Sequence, residues 1–199
     1  MDKLFGLPAH PFLVHAPVVL LPLAAIGVVV MAIKGSWHER FRWAVLAIGA
    51  AGTIGIVLAA SAGEELEGRI INVEGQAAAA GWENHSQLGE TARNVALVFF
   101  VILAAYVLVP WWLERRRAGA TAPARGAATP NTSTDTTPDT TPVHATSARP
   151  IGAERWLCVG VTALAILAAA ACVTTVAQAG HSGSKTVWEP YVKGAPAGG

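Results

Sequence analysis

Four stretches of the chain, 12–33, 43–62, 95–113 and 156–180, run for about the length of a bilayer-crossing helix without an acidic residue, lysine or arginine. Between them the polar positions are crowded rather than alternating, so the pattern predicts four transmembrane helices, at about 12–33, 43–62, 92–113 and 154–181. The expected fold is all-α: an integral membrane four-helix bundle within 1–113 and 154–181. An outer loop at 63–91 and an outer tail at 182–199 complete it. The first span is retained rather than cleaved as a signal peptide, because Asp2 and Lys3 cancel and the apolar run is too long and proline-broken for a signal sequence.

The connection at 114–153 changes character to Thr, Pro, Ala and Ser, as in Pro130-Asn131-Thr132-Ser133-Thr134. A segment with so little to bury cannot make a core, so it reads as a long disordered cytoplasmic loop between helices three and four. Small residues at Ala47, Ala51, Gly55 and Ala59, with Gly49 and Gly52 beside them, predict a face of the second helix that a neighbour can approach closely.

Flanking charge sets the orientation. Of 14 Lys and Arg, nine fall in the first loop and the third connection as far as Arg155, with five acids. The other five fall in the N-terminus, second loop and C-terminus, with eight acids. Basic residues stay on the cytoplasmic side, so both termini are expected outside. Trp37, Trp43, Trp111, Trp112 and Trp156 then mark the inner ends of the spans and Trp82 and Trp188 the outer side.

Composition agrees with the membrane class. Of 199 residues, 53% are apolar and 14% charged, with mean hydropathy +0.45, which leaves no length for a large soluble enzyme domain. A net charge of +1 without a basic and aromatic patch excludes nucleic acid as a partner. Cys158 and Cys172 share one span, roughly 21 Å apart as helix, too far for a disulfide.

The chemistry collects at the outer ends. Counting ~20 residues of helix from each inner boundary places His15 at the outer membrane edge. Glu64 and Glu65 fall just beyond it, His181 within two turns, and His10 and His85 farther out. An ionisable residue inside an apolar run is a functional candidate by default, and His15 is one. In His10-Pro11-Phe12-Leu13-Val14-His15-Ala16-Pro17, the two prolines predict an irregular cap over the bundle, with regular helix from near Pro17. His15 and His85 precede helix N-termini, which favour the neutral, metal-binding imidazole. His181 follows a helix C-terminus, with Glu64 or Glu65 as its expected proton partner. His38 and His144 read as solvated loop residues.

The segments Gly6 to Pro17, Leu20-Leu21-Pro22-Leu23-Ala24, His85 to Glu90 and Gly180 to Trp188 resemble blocks of the bacterial membrane proteins catalogued as domain of unknown function 2231. The resemblance covers all four spans and implies a four-helix membrane domain. Members fused to Rieske-type iron-sulfur modules point toward redox work. In the last block this chain has Gly183-Ser184 where the family carries a Gly-Gly pair.

Two readings follow. In the first, histidines among His10, His15, His85 and His181 hold one b-type haem or a metal ion for electron exchange between quinone and an extracytoplasmic redox protein, with His15 and His85 as the haem ligands. In the second, the chain is a non-catalytic anchor or scaffold in a homo- or hetero-oligomer, and its outer His and Glu residues cap helix ends.

Overall fold

The computed structural model describes residues 3–4, 6–76, 80, 82–120 and 152–192. Two short antiparallel strands, β1 (Lys3–Leu4) and β2 (Leu7–Pro8), meet across a turn at Gly6, whose φ of 82° suits a residue without a Cβ. Among the described residues five helices follow: α1 (His10–Leu13), α2 (His15–Ile33), α3 (Gly35–Glu74), α4 (Glu83–Ala120) and α5 (Gly152–Val192). The four long ones each carry a stretch long and apolar enough to cross a membrane.

The expected irregular cap at 10–16 is instead nearly continuous helix. Val14 is right-handed helical, its N–H reaches the His10 carbonyl, and Val18 N–H reaches the Val14 carbonyl. Pro11 falls in the first turn of α1, where a backbone N–H has no helical acceptor to lose, and Pro17 falls in the first turn of α2. At the other end of α2, Lys34 is extended and α3 starts one residue later.

The long helices also outrun the spans. α3, α4 and α5 have 40, 38 and 41 residues, roughly 60 Å each, about twice the hydrocarbon thickness. The expected loop at 63–91 is therefore largely helical, as is much of the 182–199 tail. Charge ends a span but not a helix: Glu, Leu, Arg and Ile after Ala62 all support helix, and α3 stops only at Gly75, with φ of 87°. Ala77 to Ala79 and the expected cytoplasmic loop beyond Ala120 lie outside the described residues, as does His144.

Buried positions alternate three and four apart: Leu21, Ala24, Val28 and Met31 in α2; Ala92, Ala96, Phe99 and Leu103 in α4; Ala165, Ala169, Cys172 and Val176 in α5. This is the seam spacing of a helical bundle. α2 packs against α3 and α5, and α4 packs against the same two. Val19, Ile26, Ile54, Val101 and Leu167 are more than half exposed in mid-span, the surface that lipid covers. On α3 the expected small residues divide: Gly49, Gly52, Gly55 and Ala59 are buried against the neighbours, whereas Ala47 and Ala51 are exposed. At Gly52 a Cβ would lie 3.1 Å from the backbone nitrogen of Leu21.

One end of the bundle gathers basic and aromatic groups. Trp43 meets Trp111 edge to face, Arg115 and Arg116 lie over Trp111 and Trp112, Arg42 pairs with Glu114, and Arg117 with Glu154. His38 is at this end too, but half-buried and bonded to α4 rather than solvated. The opposite end holds His10 and His85.

Candidate functional site

Two imidazoles face each other at the His10 end. The antiparallel run of α1 and α2 against α3 brings His10 beside the last turns of the α3 span, and that of α4 against α5 brings His85 beside the corresponding part of α5. Their ring centres are 6.0 Å apart with planes at 81°. His10 Nδ1 lies 2.7 Å from the carbonyl oxygen of Ala59. His85 Nδ1 lies 3.2 Å from the carbonyl oxygen of Ala179 and 3.1 Å from Ser182 Oγ. A carbonyl only accepts, so Nδ1 donates in both rings, which makes Nε2 the lone-pair nitrogen of each imidazole in its neutral form. Ser182 itself donates to Ala179 at 2.9 Å, fixing the second acceptor of His85.

The two histidines line a cavity of about 750 Å³. Its walls are mainly apolar, with Val18, Ile56, Val176, Val187 and the indoles of Trp82 and Trp188. Such a volume and lining suit a mostly apolar ligand oriented by few polar groups. Trp82 also meets His85 edge to face at 6.3 Å. A second recess of about 350 Å³ shares both histidines and Trp82 but is lined by Glu64, Glu67, Glu83 and Glu90. Its carboxylates are tied down: Glu64 and Glu90 take Arg93 at 3.1 and 3.4 Å, and Glu67 accepts from Ser86 at 2.9 Å.

The expected residues divide accordingly. His10 and His85 come together. His15 lines the same cavity but is exposed, and His10, not His15, stands opposite His85. His181 is exposed and lines neither cavity, one position before Ser182, which does take part. Glu64 is engaged by Arg93 rather than by His181, and Glu65 is exposed. Among the described residues, no group of three or more His, Cys, Asp or Glu converges as metal ligands would.

Sequence reasoning gave no part in the site to Ala59, Gly63, Ala179, Ser182 and Gly183. The available signal was a repeated Ala-x-x-x-Gly on the two helices that return to the His10 end.

No curated protein matches the sequence and no solved structure matches it. A family profile described as "Predicted membrane protein (DUF2231)" matches residues 6–134. That match takes in the paired histidines, the first three spans and well over half of the chain, so the protein belongs to the DUF2231 family of predicted membrane proteins.

Proposed function

We propose that this multi-pass membrane protein holds one b-type haem between His10 and His85 and exchanges electrons between a quinol in the bilayer and an extracytoplasmic redox partner. The observation that carries the reading is the matched pair of Nδ1-anchored imidazoles, 6.0 Å apart, with both Nε2 atoms left as acceptors. Two imidazoles bound to one metal centre at about 2.0 Å per bond have ring centres roughly 5–6.5 Å apart. Metal-binding histidines commonly donate the other ring N–H to a carbonyl, as these do. Two protein ligands suffice where the cofactor brings its own nitrogens, whereas a structural zinc asks for four. The apolar cavity offers room for a macrocycle. When bound, a haem would supply one-electron chemistry; the chain's part is to fix two tautomers and exclude water with Trp82, Trp188 and the aliphatic walls.

Lysine and arginine placement supports the orientation, with the His10 end and both termini outside a bacterial cell membrane.

Purified membranes containing the protein are expected to show a dithionite-reduced Soret and α-band absorbance, with iron by elemental analysis. His10→Ala and His85→Ala should each abolish it, and His15→Ala should keep it. Metal without a haem spectrum would replace haem by an ion on the same pair.

A second reading has its own observation. The same two hydrogen bonds tie α1 to α3 and α4 to α5. Membranes lacking both iron and any other bound metal would leave this as the whole role, in a membrane anchor whose histidines staple helices.

A further inference from the structure

Each imidazole lies against the helix that accepts its N–H, and a glycine sits four residues after the accepting alanine in both cases: Ala59 and Gly63 in α3, Ala179 and Gly183 in α5. The geometry accounts for it. A helical carbonyl points along the axis toward residue i+4, so a ring that reaches the carbonyl from the side lies over that residue. A Cβ at Gly63 would stand 3.0 Å from His10 Nδ1 and 3.1 Å from Cε1. At Gly183 it would stand 2.9 Å from His85 Cε1 and 3.2 Å from Nδ1. In both places the three nearest atoms all belong to the imidazole. Backbone conformation does not call for glycine there, since Gly6 and Gly75 are the positive-φ glycines among the described residues. Glycine inside a helix is less favourable than alanine, and here the ring above it is what an alanine would meet.

We infer that Gly63 and Gly183 are positioning residues: two copies of one seat, each fixing the tautomer and plane of one imidazole, supplied by two helical hairpins related by an approximate two-fold axis through the bundle. The packing repeats in the same way, α1 and α2 standing to α3 as α4 stands to α5, with the cross-pairs α3 and α4, α2 and α5 closing the ring. A ligand on that axis meets two equivalent Nε2 lone pairs. Ligand alignment rests on the reading of His10 and His85 as ligands, but the seats are testable without any cofactor.

The test uses the full chain in detergent, labelled with ¹⁵N-histidine, with ring signals assigned by their loss in His10→Ala and His85→Ala. Gly63→Ala should move the His10 ring signals away from the Nδ1–H pattern and leave His85 in place. Gly183→Ala should do the converse, and Gly68→Ala, where a Cβ meets nothing within 4 Å, should move neither. Thermal unfolding gives an independent measure: the loss caused by Gly63→Ala should vanish in a His10→Ala background, and that of Gly183→Ala in a His85→Ala background. A single variant that does not fold while its double variant does gives the same answer. Titration with ferric haemin should show roughly 10–100-fold weaker binding for each glycine variant. Own-ring signals that stay put, or a stability loss that persists with the ring removed, overturn the seats. Seats that behave as expected in a protein that binds no haemin overturn the haem reading alone.

Discussion

The Nε2 of His38, near the start of α3, lies 3.3 Å from the carbonyl oxygen of Tyr106 in α4. That carbonyl would ordinarily accept from residue 110, which is a proline inside the helix and has no N–H to give. The histidine supplies the donor the helix lacks, and its ring packs edge to face on Tyr106 with centres 5.0 Å apart. His38→Ala should therefore cost about 1–3 kcal/mol of stability, the penalty of an unpaired buried carbonyl. In a Pro110→Ala background the helix regains its own donor, and most of that loss should disappear. Equal losses in both backgrounds, read from detergent unfolding curves, would show that His38 acts through something other than this carbonyl.

Close approach of α2 and α3 gives a second expectation. At Gly52 a Cβ would sit 3.0 Å from Leu21 side-chain atoms and 3.1 Å from the Leu21 backbone nitrogen, and backbone cannot step aside. Gly52→Ala should destabilise by about 1–3 kcal/mol, the usual range for overpacking. Gly160→Ala in α5, with open space around it, should be neutral or gain up to about 1 kcal/mol from helix propensity. If both substitutions behave alike, propensity rather than interhelical distance governs these sites.

The four spans were legible because a run of twenty uncharged residues has one stable home, and their exposed mid-span valines, isoleucines and leucines bear that out. Where the helices end was not legible from charge: Ala, Glu, Leu and Arg continue a helix into water as readily as they begin a loop, and only Gly75 stops α3. Helix phase was hidden too. Exposed and buried positions around α2 are alike apolar, so the residues alone do not say which way a histidine at its start faces. His38 read as a loop residue because it stands in a charged segment, although Pro110, 72 positions later in sequence, had already created its partner. The Ala-x-x-x-Gly seats look like ordinary small-residue packing until a ring is seen lying on them.

Orientation is open to a direct chemical test. Cys158 is half-exposed and Cys172 buried, so both are first replaced by Ala and each added thiol then reports alone. Lys185→Cys, beyond the His10 end of the span, should be labelled in intact cells. Arg116→Cys, beside Trp112 at the opposite end, should be labelled only after lysis. The reverse pattern would put the histidine pair on the cytoplasmic side and remove the external redox partner from the proposed function.

His10 and His15 differ by five residues, roughly 140° around a helix, so the near-continuous helical path through Val14 can turn only one of them toward α3. His10 takes that place, half-buried with its 2.7 Å bond to Ala59, and His15 is left exposed at the cavity rim. His10→Ala should cost about 0.5–1.5 kcal/mol, the net value of one hydrogen bond. His15→Ala should stay within about 0.5 kcal/mol of the parent, as exposed sites do. The expected order therefore holds whether or not a cofactor is present, and unfolding of the cofactor-free protein measures it. A His15→Ala variant less stable than His10→Ala would mean that the helix start is rotated from the arrangement described, placing His15 rather than His10 beside His85.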